Sequence, residues 1–172
     1  AGPDQNYIFK YNEHIGVINA KDVIKEAEEK FAKIFGREYT GLIETYKTED
    51  ADYIIITLGS VAGLVKEAAD NLREAGVLRI RYLRPFPNEE IAEAVKNAKG
   101  IAVLEKDISF GNEGTVYTNV NSALRKNDVN IPTSNYIGGL GGKNISCREV
   151  EDIYIELKDD RFGIHFLGIG EE

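Results

Sequence analysis

With 172 residues, the chain has the length of one domain of roughly 100–200 residues, with room for an extra arm. Hydrophobic residues at 42% and charged residues at 29% describe a folded globular protein, not a disordered one. A net charge of −8 argues against a general grip on DNA or RNA and against docking on anionic lipid, because both need a basic surface.

The single cysteine, Cys147, cannot form an internal disulfide, which suits a reducing, cytoplasmic setting. It also excludes an iron–sulfur cluster held by four cysteines of this chain alone. With only His14 and His165 beside it, a closed Cys/His zinc site lacks a fourth ligand. No apolar run approaches the ~18–20 residues of a membrane span. The opening residues carry neither the basic nor the apolar region of a signal peptide. The absence of methionine points to a piece of a longer polypeptide.

Residues 1–18 mix aromatic and polar side chains and read as an irregular arm, with Tyr7, Phe9 and Tyr11 alternating over a short strand. From residue 20, Val23, Ile24, Ala27, Phe31, Ile34 and Phe35 recur at three- and four-residue steps and predict a helix over 20–35. Asn19 is placed to cap its start and Gly36 its end. Residues 37–50 read as a connection.

Tyr53 to Leu58 is a continuous apolar, β-branched run, the pattern of a strand buried on both faces. A helix follows, with Val61, Leu64, Val65, Ala68, Ala69 and Leu72 inward and Gly76 as its close. Val77 to Leu83 predicts a second strand, broken by Arg84-Pro-Phe-Pro87. Asn88 is placed to cap a third helix through Ile91, Ala94, Val95 and Ala98. Ile101–Leu104 predicts a third strand, and Val116, Val120, Ala123 and Leu124 a fourth helix. Ser134–Ile137 predicts a fourth strand. The glycine-rich stretch 138–142 follows, and Ser146-Cys-Arg-Glu149 forms a capping box before Val150, Ile153, Tyr154 and Leu157. Strands alternating with helices at this spacing predict an α/β domain with a mainly parallel sheet and helices on both faces. The apolar tail 162–169 either adds a strand or covers a neighbouring surface.

In such a sheet, ligands bind beyond the carboxyl ends of the strands. The loops after Leu58, Leu83, Leu104 and Ile137 gather there. The glycine-rich loop fails both the P-loop and the dinucleotide spacings, so turns are favoured over phosphate contact. Gly59-Ser60-Val61 is not a nucleophile elbow, and Ser60 is better read as a helix cap. His14 and His165 lie outside these loops, where packing or surface roles are favoured. Glu105 and Asp107 form a close acidic pair. Solvated loop charges or an interface ion pair are favoured over acid–base work. Arg79 and Arg81 need partners, Arg84 can anchor a carboxylate or a neighbouring chain, and Cys147 sits where a helix dipole lowers a thiol's pKa.

Four strings carry a resemblance when taken as a set. They are Asp50–Ser60 with Lys66–Ala69, Leu78–Pro87, Leu104–Gly111 and Ile137–Gly142. In order and separation they resemble the carboxyl-terminal region of the alpha subunits of 2-oxoacid:ferredoxin oxidoreductases, pyruvate:ferredoxin oxidoreductase (pyruvate synthase) among them. The resemblance covers about residues 20–158. It implies a three-layer α/β/α unit similar to the carboxyl-terminal domain of transketolase, with a mixed, mostly parallel sheet and one antiparallel strand. It divides the chain into an arm and linking helix (1–50), the α/β domain (51–158) and a tail (159–172). One departure is a joint at Gly76-Val77 shorter than the family's.

The whole enzyme, by resemblance, converts a 2-oxoacid, pyruvate first, to acyl-CoA and reduces ferredoxin. It uses thiamine diphosphate, iron–sulfur clusters and coenzyme A, held largely by other domains and subunits. The expectation for this stretch is therefore no catalytic, cofactor-binding or metal residue of its own. It would serve assembly with the other subunits, with Arg84, Asp107, Ser109, Phe110 and Gly111 as interface candidates. The competing readings are a small-anion or nucleotide-binding regulatory domain, and a hydrolase-like enzyme built on Ser60.

Overall fold

The computed structural model describes residues 2–39 and 41–169. Its elements in chain order are α1 (Pro3–Phe35), β1 (Ile43–Tyr46), β2 (Tyr53–Leu58), α2 (Val61–Asp70), β3 (Ala75–Ile80) and α3 (Asn88–Val95). β4 (Gly100–Glu105), α4 (Thr115–Lys126), β5 (Thr133–Ile137), α5 (Cys147–Lys158) and β6 (Ile164–Phe166) complete them. The strands form one sheet in the order β1-β3-β2-β4-β5-β6. Every neighbouring pair is parallel except β1 with β3. This is the α/β, three-layer, mostly parallel arrangement that the alternation of apolar runs and amphipathic stretches dictates.

The central strands explain the layers. Ile54 to Thr57 of β2 and all of β4 are buried, so both faces of the sheet must be covered. α2 and α5 cover one face, against Ile55, Val77, Ala102 and Tyr136. α3 and α4 cover the other, against Ile54, Ile56, Leu78 and Val103. Thr57 is a polar residue in this apolar interior. Its hydroxyl donates to the Leu104 carbonyl at 2.8 Å, so its burial leaves no unpaired group.

Several expectations are corrected. Residues 3–18 form no irregular arm or strand; they are helical and continuous with 20–35. Pro3 occupies a starting position that suits its missing N–H, and Asn19 lies inside the helix. The aromatic alternation at 7, 9 and 11 imitates a strand over a stretch too short to show its helical period. Gly36 does close the helix, in the left-handed conformation with φ 64°.

β1 had no expected counterpart. Its four residues pair antiparallel with β3 at the sheet edge, where burial is partial and the apolar signal correspondingly weak. Gly76 does not end α2, which stops at Asp70. It lies within β3, where an added Cβ would stand 2.7 Å from the Ala51 Cβ. β3 therefore starts at Ala75 and ends at Ile80, and residues 71–74 supply the joint from α2. Asn88 is the first helical residue of α3 rather than its cap; Pro87 takes that place. The tail adds a strand, β6, beside β5. The Ser146–Glu149 capping box forms as expected, with the Glu149 N–H donating to Ser146 Oγ at 3.2 Å.

Candidate functional site at the carboxyl edge of the sheet

β2 runs into α2 on one face of the sheet, whereas β4, its neighbour, runs into α4 on the opposite face. The two connections diverge and leave the switch point where open α/β sheets place their sites. Gly59 and Ser60 lie on one side of it. The loop from Glu105 to Gly114 lies on the other.

Glu105 is the buried charge of this edge, only 4% exposed. Its carboxylate accepts the N–H groups of Val116 at 2.7 Å and Tyr117 at 3.0 Å, and the Asn135 amide at 2.9 Å. Asn135 is wholly buried, and its Oδ1 accepts the Gly114 N–H at 2.7 Å. Two side chains from adjacent strands thus satisfy three backbone donors at the start of α4. The helix dipole favours the charge that burial opposes. Burial is the larger influence, and it holds the Glu105 carboxyl above the ordinary carboxylate range, with the nearby Asp107 charge adding to the rise. Gly114 is required here, because an added Cβ would fall 2.0 Å from Glu105 Oε1.

The acidic pair of the sequence is therefore divided. Glu105 points inward as a structural acceptor, which corrects its reading as a solvated charge, and Asp107 stays exposed. Beyond it, the Ser109 N–H donates to the Glu113 carbonyl at 3.1 Å, and the Asn112 N–H donates to the Ser109 carbonyl at 2.9 Å. Gly111 takes φ 82° within this turn. The turn lifts Phe110 into solvent, 94% exposed. Arg84, also exposed, follows β3 at the same edge of the sheet. Its Nη1 donates to the Leu83 carbonyl at 2.6 Å, and its guanidinium lies 5.9 Å from the centre of the Phe86 ring. No hydrogen bond or ion pair among the described residues joins Arg84 to the loop at 107–111.

The remaining candidates take structural places. Ser60 sits at the start of α2, but its side chain makes no capping bond. His14 is on α1, and His165 stacks on Tyr136 with ring centres 4.8 Å apart. Cys147 opens α5, yet burial and the carboxylates of Glu151 and Glu67 push its thiol up, against the expected lowering by the helix. Arg79 pairs with Glu44 at 3.4 Å, and Arg81 with Glu28 of α1 at 3.1 Å.

Among the described residues, no group of three or more His, Cys, Asp or Glu is arranged to hold a metal ion. The glycine-rich loop closes on itself through the Gly142 N–H and the Gly139 carbonyl, at 3.3 Å. Lys143, the cation beside it, is turned to the Gly168 carbonyl at 2.6 Å. No helix among the described residues is long and apolar enough to cross a membrane.

Residues 51–150 match the family described as pyruvate:ferredoxin oxidoreductase core domain II. The chain belongs to this family. The match runs from two residues before β2 into α5 and so includes the switch point and the Phe110 turn. Relatives agree. Ketoisovalerate oxidoreductase subunit VorA of Pyrococcus horikoshii is 41% identical over 162 residues, 92% of this chain and 41% of the relative. Pyruvate synthase subunit PorA of Methanothermobacter thermautotrophicus is 36% identical over 174 residues, 99% of this chain and 44% of the relative. Pyruvate synthase subunit PorA of Pyrococcus furiosus is 44% identical over 137 residues, 77% of this chain and 34% of the relative. The chain thus spans less than half the length of these relatives.

The sequence reading missed Asn135 and the inward turn of Glu105. A lone asparagine within the apolar strand Ser134–Ile137 was the available signal, since a buried amide demands partners.

Proposed function

We propose that this core domain II chain is part of the alpha subunit of a 2-oxoacid:ferredoxin oxidoreductase, with pyruvate as its acid. The enzyme would oxidatively decarboxylate the acid, form an acyl-CoA and reduce ferredoxin in the cytoplasm, using thiamine diphosphate and iron–sulfur clusters outside these residues. Residues 51–158 are the domain proper. The arm (1–50) and the tail (159–172) each add one strand, β1 and β6, to its sheet. The family match over residues 51–150 carries the reading.

The role we assign to this stretch is assembly. Arg84, Asp107, Ser109, Phe110 and Gly111 form the interface with the other subunits, and none of them performs chemistry. An aromatic ring held 94% exposed on a hydrogen-bonded turn is the kind of anchor that interfaces bury. In the assembled complex, the Arg84→Ala/Phe110→Ala double variant is expected to weaken co-purification of the companion subunits and to lower pyruvate-dependent ferredoxin reduction in proportion. Circular dichroism of the chain should stay unchanged. Undiminished assembly and activity in the double variant would remove the assignment.

A further inference from the structure

A cleft of about 710 Å³ lies between α1 and the α3–α4 side of the domain. Val17 and Ile18 of α1 supply apolar wall, as do Pro85 and Phe86 after β3. Three cations line it. Lys21 is compensated by Glu90 at 2.6 Å and Glu89 at 3.5 Å. Arg84 and Lys126 form no ion pair among the described residues. Arg84 and Lys126, the latter also attracting the cleft-lining Glu89, bring an excess of positive charge beside apolar walls, on a chain of net charge −8.

The cleft does not end where the domain does. Positions 7, 11, 14, 18 and 21 of α1 follow steps of four and three, so their side chains form one stripe. His14, Ile18 and Lys21 of this stripe line the cleft. Tyr7 and Tyr11 continue it and are 77% and 59% exposed. At ~1.5 Å per residue, the stripe from Tyr7 to Lys21 is about 21 Å long. A small anion would satisfy Arg84 and Lys126 yet leave both tyrosines bare. An extended peptide would engage them all.

We propose that the cleft and the Tyr7–Tyr11 stripe form a docking groove for an acidic segment of a companion subunit, seated by an apolar side chain between Ile18 and Phe86. The proposal rests on the assignment of the chain to a multi-subunit oxidoreductase and adds where, and with what chemistry, a companion binds. Carboxylates of the segment meet Lys126 and Arg84, and its apolar atoms cover the tyrosines.

The test uses the assembled complex, with the photoreactive p-benzoylphenylalanine replacing Tyr11. The expected product is a cross-link to a companion-subunit peptide that carries Asp or Glu within a few residues. Lys126→Glu is expected to weaken association with that subunit by about tenfold at low salt, with the difference shrinking as salt rises. Tyr7→Ala/Tyr11→Ala should weaken it at all salt concentrations. A cross-link confined to this chain, to a second copy of it or to nothing would overturn the proposal, as would unaltered affinity in Lys126→Glu. If Phe110→Ala alone disrupts assembly while these do not, the groove is wrong and the oxidoreductase assignment stands. If no companion subunit accompanies the wild-type chain, both fall.

Discussion

Glu105 sets the residue-scale economy of the candidate site. Its carboxylate accepts from two backbone donors of α4 and from Asn135, and the cost is a charge held away from water. Glu105→Ala leaves those donors without their acceptor. At about 1–3 kcal/mol per unpaired buried group, urea unfolding should show a loss of about 3 kcal/mol. Glu105→Gln keeps the shape and one acceptor, so it should cost less. The pH dependence has a definite sign. Burial raises the folded pKa above 4.5, so the native state holds this proton more tightly than the unfolded chain does. The contribution of Glu105 to stability is fully present below 4.5 and is lost as the pH rises through the folded value. Wild-type stability minus that of Glu105→Gln should therefore fall across this window and then level off. A difference that is flat with pH, or that rises with it, contradicts the burial account.

At the scale of elements, local chemistry and tertiary context divide the work. The capping box at Ser146 is local. Its reciprocal bonds, Glu149 N–H to Ser146 Oγ and Ser146 N–H to Glu149 Oε2 at 2.8 Å, close the start of α5. Ser146→Ala should lower stability by about 1 kcal/mol in thermal or urea unfolding, and an unchanged midpoint would deny the cap its role. Such local signals were legible in the sequence, as was the continuous run Ile54–Leu58, because both are written in consecutive residues. β1 was illegible, since its place comes from pairing with β3 and only Leu42, just before it, is deeply buried. The first half of α1 was illegible for a related reason. There the aromatics at 7, 9 and 11 alternate as in a strand, and no buried residue of α1 supplies a stronger helical signal. The inward turn of Glu105 depends on Asn135, thirty positions away, and no local pattern contains that relation. The place of Arg84, Asp107, Ser109, Phe110 and Gly111 at the carboxyl edge of the sheet was legible from loop position.

For the molecule as a whole, a two-faced sheet with a filled core leaves exposed Phe110 on its turn, Arg84 and Lys126 at the cleft, and the aromatic start of α1. Buried in the chain are a carboxylate and an amide, Glu105 and Asn135, which accept the backbone donors of a helix start. The sequence relatives are named as subunits, and both ketoisovalerate and pyruvate occur among their activities. The assembly account therefore places the choice of acid and the redox chemistry with the complex. The most direct measurement isolates the polypeptide carrying these residues, with whatever assembles on it, and follows ferredoxin reduction on addition of pyruvate and coenzyme A. The account predicts co-purified subunits and reduction that requires both additions. A polypeptide that runs alone, with no 2-oxoacid driving ferredoxin reduction in any fraction that contains it, would contradict the account.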